Sequence, residues 1–240
     1  GFTGEALDRA VRERGIKTDF IRLKEGNTRI NVKLKGKVET EINARGPKIT
    51  ENDILKLYEK LDRISDGDTL VLAGSVPNGL PKDIYEKILS RLSGKRIRFA
   101  VDATGELLTN VLKYHPFLIK PNRSELEEIV SRELSSDEEI AFAATELKQK
   151  GAVNVLVSLG GDGALLVDEF GKVHREKAVA GKVINTVGSG DSMVAGFLVG
   201  AEKGYEHALR LGSAAGSATA FSSGLAGKQE IMDIYRKIRT

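Results

Sequence analysis

From Thr50 onward, short apolar runs alternate with amphipathic stretches, and this alternation constrains the fold more than any single motif. Residues 69–73, 97–101, 117–119 and 153–157 are apolar runs of strand length. Such mainly apolar runs suit parallel strands buried on both faces. Repeated strand–helix units build a mostly parallel sheet with right-handed crossovers and helices on both sides. The expected fold class is therefore α/β, with ligands at the carboxyl ends of the strands.

The stretches between the runs carry helix punctuation. Thr50-Glu51-Asn52-Asp53 is a capping box ahead of Ile54, Leu57, Leu61 and Ile64. Pro81 starts a helix over 81–92. A short helix spans 107–112. Asn122 or Ser124 caps a helix to Val130, and Ser135-Ser136 caps another that runs to Lys150 and ends at Gly151. Residues 164–167 and 173–178 form an antiparallel pair, and helical segments near 191–203, 205–221 and 228–239 close the chain. Before Thr50, residues 3–14 are helical and stop at Gly15. Ile30, Val32 and Leu34 alternate with Arg29, Asn31 and Lys33, and Val38, Thr40 and Ile42 answer them after a Lys35-Gly36-Lys37 turn. That is a hairpin with one apolar face and no obvious helix to cover it, expected to serve as a lid or a dimer contact.

With 240 residues the chain suits one α/β domain, with or without a small appendage. A net charge of +3, with basic residues scattered among acids, argues against a nucleic-acid surface. There is no cysteine, which excludes thiolate chemistry, and His115, His174 and His207 have no metal-ligand spacing. No run is long and apolar enough for a membrane span. A cytoplasmic enzyme is the expectation.

The chemistry-bearing motifs follow the strands directly. Asp102, Lys120-Pro121-Asn122, Ser158-Leu159-Gly160-Gly161 and Gly188-Ser189-Gly190-Asp191 each come after an apolar run. Two glycines flank a small residue at a helix start in the last of these, where amide donors are unsatisfied and the dipole favours an anion. A carboxylate beside such a cradle suits a base that takes a proton from a hydroxyl attacking a bound phosphoryl group. An ordinary glycine turn followed by a helix-start acid is the alternative. Neither a P-loop nor a dinucleotide fingerprint occurs. Gly160-Gly161-Asp162-Gly163 reads equally as a nucleotide contact or a hairpin turn into Ala164. Asn122 and Glu125, at i, i+3 spacing, read as oxygen ligands for hydrated Mg²⁺ or as a capping box, and the two are compatible. Arg29 and Asn31 project from the hairpin's polar face, where Arg29 offers a fork to a phosphate. Ser75 is a donor to a substrate hydroxyl or a turn cap.

Residues 185–198, Asn-Thr-Val-Gly-Ser-Gly-Asp-Ser-Met-Val-Ala-Gly-Phe-Leu, resemble the C-terminal motif of the ribokinase-like (PfkB) sugar kinases. Residues 118–125 resemble that family's N-x-x-E segment. Residues 28–32 and 72–77 are similar to the substrate-side stretches of its branch of 1-phosphofructokinases and tagatose-6-phosphate kinases. The resemblance implies a ribokinase-like three-layer sandwich, a single domain over 1–240 with a small β lid at about 28–45. It implies ATP-dependent phosphoryl transfer to a ketohexose phosphate, fructose 1-phosphate first and tagatose 6-phosphate second.

In that reading Asp191 is the base, and the amides of Gly188, Ser189 and Gly190 stabilise the transferring phosphoryl group. Lys120, Asn122, Ser158, Leu159, Gly160, Gly161, Asp162, Gly163, Gly190 and Ser217 bind ATP. Asn122 and Glu125 hold Mg²⁺ through water. Arg29, Asn31 and Ser75 bind the phosphosugar beside Asp191, and the hairpin pairs two subunits into a homodimer. One departure bears on activity. Gly1-Phe2-Thr3-Gly4-Glu5 reads as the interior of a longer protein, and the family's first strand with its substrate aspartate and its G-G-x-x-x-N segment would precede it. A chain truly beginning at Gly1 is expected to be a nucleotide-binding or dimerisation fragment with little catalysis, and one preceded by those residues an active kinase.

Overall fold

The computed structural model of the protein describes residues 1–35, 39–77 and 79–238. The chain divides into two compact units, Gly1–Ser65 with Ser75–Ile84, and Asp66–Gly74 with Tyr85–Thr240.

The first unit opens with α1 (Phe2–Glu13), which buries none of its residues. The chain then forms an antiparallel hairpin, β1 (Asn31–Lys35) and β2 (Glu39–Asn43), in which Val32 faces Ile42 and Leu34 faces Thr40. The expected apolar face is present and uncovered: Val32, Leu34 and Ile42 remain 41%, 51% and 55% exposed. The turn residues Gly36 and Lys37, and Val38 after them, lie outside the described residues. Helix α2 (Glu51–Leu61) has the expected capping box. Thr50 Oγ1 accepts from the Asp53 N–H, and the Asp53 carboxylate accepts from the Thr50 N–H at 3.1 Å. It stops at Leu61, so Ile64 falls beyond the helix.

The second unit carries a six-stranded sheet in sequence order. Its elements are β3 (Thr69–Ala73), α3 (Ile84–Leu92, whose first residue belongs to the other unit), β4 (Arg98–Asp102), α4 (Gly105–Thr109), β5 (Leu118–Ile119), α5 (Arg123–Val130), α6 (Asp137–Gln149), β6 (Asn154–Ser158), β7 (Ala164–Val167), β8 (Val173–Glu176), α7 (Ser189–Gly200), α8 (Tyr205–Ala220) and α9 (Lys228–Ile238). Strands β3 to β6 are mutually parallel, while β7 and β8 add antiparallel. Leu156 of β6, with Ala164 and Leu166 of β7, packs against Val194 and Phe197 of α7 and Leu209 of α8. Their alternates Val155, Val157, Leu165 and Val167 are equally buried. Side chains alternate across a strand, so these point to the opposite face, where α6 packs on β6 and β7. Helices therefore cover both sides of the sheet.

Several boundaries differ from those expected. Residues 69–73 read as a buried strand, yet Val71 is 43% exposed. Among the described residues β3 pairs only with β4, so its apolar run lies at an edge. Pro81 does not open a helix; α3 starts at Ile84, whose N–H reaches back to Pro81 O. The stretch 107–112 is divided between α4 and a 3-10 turn, Leu112–Tyr114. Strand β8 stops at Glu176, short of Ala178. Position 239, the expected end of the last helix, lies outside the described residues. Among the described residues no helix is long and apolar enough to cross a membrane.

A buried polar knot holds the β7–β8 turn. Asp168, 3% exposed, accepts hydrogen bonds from the N–H groups of Phe170 and Lys172, each at 2.9 Å, and meets His174 Nε2 at 2.7 Å. Burial works to raise its pKa, but the bonds from His174, Lys172 and Phe170 outweigh burial and hold it below 3.8. A depressed carboxylate stabilises the fold above its unfolded pKa, and that contribution is lost as pH falls through the folded value. Asp168→Asn is therefore expected to destabilise by about 2 kcal/mol at neutral pH. Urea unfolding would show the gap to the unsubstituted protein closing below about pH 4. An equal gap at pH 7 and pH 3 would rule out the ionised knot.

Candidate active site

All of the site described next lies within the second unit. Parallel strands present their carboxyl ends together. Asp102 ends β4, Lys120 follows β5 and Ser158 ends β6. Lys120 and Ser158, with the N-terminus of α7 and one face of α8, line a cavity of about 660 Å³, while Asp102 reaches it only through its partner Lys120.

Helix α7 begins after Gly188, whose φ of +81° lies in the left-handed region that glycine tolerates. No side chain caps this end. The Ser189 N–H is turned to Thr186 O at 3.2 Å, and the Ser192 N–H to Gly188 O at 2.9 Å. Among the described residues, the N–H groups of Gly188, Gly190 and Asp191 meet no acceptor. The N–H groups without an acceptor at this helix start are thus those of Gly188, Gly190 and Asp191, while the Ser189 amide is engaged. The Asp191 side chain is exposed, and no side-chain cap bond closes this helix start.

A cation stands beside the cradle. Lys120, 6% exposed, pairs through Nζ with Asp102 Oδ1 at 3.2 Å. A methyl group built on Gly190 would lie 3.2 Å from that Nζ, so the ammonium passes directly beside the Gly190 backbone. Burial pushes the Asp102 carboxyl above the ordinary carboxylate range, and Lys120 draws it down. The charges of Asp191 and Glu125 push it up again. The Asp102 carboxyl therefore stands against one buried ammonium and feels the charges of two further carboxylates.

Asn122 and Glu125 form a capping box at the start of α5. Asn122 Oδ1 accepts the Glu125 N–H at 2.9 Å, and Glu125 Oε2 accepts the Asn122 N–H at 2.8 Å. Asn122 also lines the cavity. Residues 160–162 form a 3-10 turn that joins antiparallel β6 and β7, so the hairpin reading holds; Ser158, Gly160, Gly161 and Gly163 line the cavity as well. Leu159 is buried, and Asp162 is exposed and paired with Arg123 at 3.1 Å. Ser217 lines the cavity from α8.

Arg29, Asn31 and Ser75 belong to the first unit. Arg29 Nη2 donates to Ser75 Oγ at 2.9 Å, and Asn31 opens β1 opposite Asn43. The sequence reading passed over residues 178–181, Val183, Met193, Ser213 and Phe221, all of which line the cavity. For Ser213 a signal existed: 213, 216, 217 and 220 fall at i, i+3, i+4, i+7, which is one helical face.

The sequence profile of the pfkB family carbohydrate kinases matches residues 1–232. The 1-phosphofructokinase of Bacillus subtilis is 42% identical over 241 residues, covering 100% of this chain and 79% of that protein. The D-tagatose-1-phosphate kinase of Bacillus licheniformis is 40% identical over 228 residues, covering 94% and 74%. Among solved structures, phosphofructokinase-2 from Escherichia coli in complex with substrates and products superposes with a TM-score of 0.91 at 31% identity, over 100% of this chain and 80% of that one. The expected ribokinase-like α/β sandwich is the fold found. With this likeness over nearly its whole length, the chain belongs to the pfkB family of carbohydrate kinases.

Proposed function

We propose that the protein transfers the γ-phosphoryl group of ATP to a hydroxyl of a ketohexose 1-phosphate, fructose 1-phosphate before all others. The observation that carries this reading is Asp191, an exposed carboxylate at the start of α7, beside amides without acceptors and a buried ammonium. Asp191 takes the proton of the sugar hydroxyl as its oxygen bonds to the γ-phosphorus. The bond from that phosphorus to the β–γ bridging oxygen breaks, and ADP leaves. The amides of Gly188 and Gly190 and the Lys120 ammonium meet charge on the transferring group, the largest service a protein renders in phosphoryl transfer.

Asn122, Ser158 and Gly160 to Gly163 hold the nucleotide's phosphates and sugar, and Ser217 stands beside its base. Mg²⁺ accompanies the nucleotide in this reading. Mg²⁺ prefers oxygen ligands and keeps several of its waters, so one or two protein oxygens beside the phosphates suffice for it. Asn122 and the Glu125 carboxylate, one of whose oxygens stays outside the capping box, would hold it through water. When bound it would neutralise phosphate charge.

Arg29, Asn31 and Ser75 are assigned to the phosphosugar, because a guanidinium already paired with a hydroxyl is an apt phosphate fork. The uncovered apolar face of the β1–β2 hairpin is assigned to a homodimer contact, and the cytoplasm, where ATP and phosphosugars are metabolised, as the compartment. The names of the two Bacillus relatives favour a 1-phosphate as substrate. Release of ADP should be followed with fructose 1-phosphate, tagatose 1-phosphate and tagatose 6-phosphate. Fructose 1-phosphate is expected to give the highest kcat/KM. Faster turnover of tagatose 6-phosphate would reverse the order, and no ADP from any of the three would overturn the activity.

A further inference from the structure

The chain leaves the second unit after Gly74 and rejoins it at Tyr85, and one hydroxyl ties these two points together. Tyr85, in the first turn of α3 and 9% exposed, donates to Ala73 O and to Gly74 O, each at 3.0 Å. A buried tyrosine hydroxyl seeks a partner, but a single acceptor satisfies it. Here one O–H is shared between consecutive carbonyls at the carboxyl end of β3, the end at which such a sheet places its ligands. Burial, and after it the charge of Asp102, push the Tyr85 pKa above its ordinary value of 10.0, so the group remains a donor at neutral pH.

The second carbonyl gives this bond its consequence. Gly74 O and the Ser75 nitrogen belong to one planar peptide, so a bond that fixes the oxygen fixes the plane from which Ser75 springs. Gly74 has a φ of +86°, and a Cβ added there would meet nothing within 4 Å. Glycine therefore serves conformation at this position, not space, and it brings the widest backbone freedom of any residue. Tyr85 restrains that freedom immediately before Ser75. The Ser75 hydroxyl in turn accepts from Arg29 Nη2 at 2.9 Å. A hydroxyl that accepts from a guanidinium keeps its own proton to donate, and the cation beside it favours an anionic acceptor such as a phosphate oxygen.

We propose that Tyr85 is a positioning residue for the phosphosugar: its hydroxyl fixes the Gly74–Ser75 peptide so that Ser75 and Arg29 present their donors together to the sugar's phosphate group. The proposal rests on the assignment of Arg29 and Ser75 made above. Tyr85 acts through Ser75 and touches no substrate itself.

Tyr85→Phe removes one oxygen and keeps the ring, so the variant is expected to fold. Its KM for fructose 1-phosphate is expected to rise roughly fivefold, the loss of one ordering hydrogen bond. The kcat and the KM for ATP should stay within about twofold. Ser75→Ala should raise the same KM, and adding Tyr85→Phe to it should change that value by less than about twofold more, since both act through one group. An unchanged KM for fructose 1-phosphate in Tyr85→Phe, or effects that multiply in the double variant, would overturn the positioning role. So would a Tyr85→Phe protein that melts lower and loses kcat with both KM values unchanged, the signature of a bond that serves stability alone. If the unsubstituted enzyme phosphorylates fructose 1-phosphate and Ser75→Ala leaves that KM unchanged, the Ser75 assignment falls, and this proposal with it. No ADP from the unsubstituted enzyme with any phosphosugar would instead overturn the kinase reading itself.

Discussion

Asp191→Asn is expected to lower kcat by roughly a thousandfold, the middle of the range for loss of a positioned general base. The substitution is nearly isosteric and falls on an exposed side chain in the first turn of α7, where asparagine keeps the helix start intact. What it removes is the lone pair able to take a proton at neutral pH. The amides and Lys120 stay where they are, so ATP binding, read by calorimetry, should change by less than about threefold. Steady-state ADP release with fructose 1-phosphate gives kcat. A decline of less than tenfold would mean that the hydroxyl is deprotonated by another group. Asp102 is the nearest carboxylate alternative on electrostatic grounds, but it is already committed to Lys120 at 3.2 Å.

Gly196→Val carries the largest expected effect on stability. A Cβ on Gly196 would come 2.7 Å from Leu211 O, 2.9 Å from Gly212 Cα and 3.0 Å from Ala215 Cβ. Two of those atoms are backbone of a buried helix, which yields only if α8 moves away from α7. Overpacking ordinarily destabilises by 1–3 kcal/mol, and with β-branched bulk against main chain the expected loss is about 3 kcal/mol. For a chain of this size that lowers Tm by roughly 6–12 °C, measurable by calorimetric or fluorescence melting. A shift under about 2 °C would show that the two helices separate without penalty. Gly196→Ala keeps the same contacts short with less bulk and should fall between.

The sequence exposed the inner sheet well. Strand β6 is an apolar run because both of its faces are buried, and its bounds fell within one residue of those expected. The capping boxes at Thr50, Asn122 and Ser136 were legible because each needs only an oxygen-bearing cap and an acid three residues on. What escaped depends on distant neighbours. Residues 69–73 look as buried as β6, and nothing local tells an edge from a centre. Pro81 suits a helix start or a turn, and Ile84 decides between them by bonding back to it. In the site, the order of Gly188 to Asp191 announced a glycine-led helix start with free amide donors. No local pattern could say that the Ser189 amide would turn to Thr186, or that Lys120 would reach Asp102. Ser213 was hidden in a run of small residues whose period went unread.

Helices α7 and α8 meet through Gly196 and Gly200 on one side and Gly212 and Gly216 on the other, with main chain nearly touching main chain. In the ATP-dependent reading proposed above, one helix begins at amides that would meet a phosphate, while the other forms the wall against which a ring would lie. Their spacing is set by atomic radii, not by adjustable side chains, so the cavity has the character of a fixed caliper. In that reading a donor with a shorter or longer phosphate chain would miss one jaw or the other, and the joint between the two helices would discriminate by length.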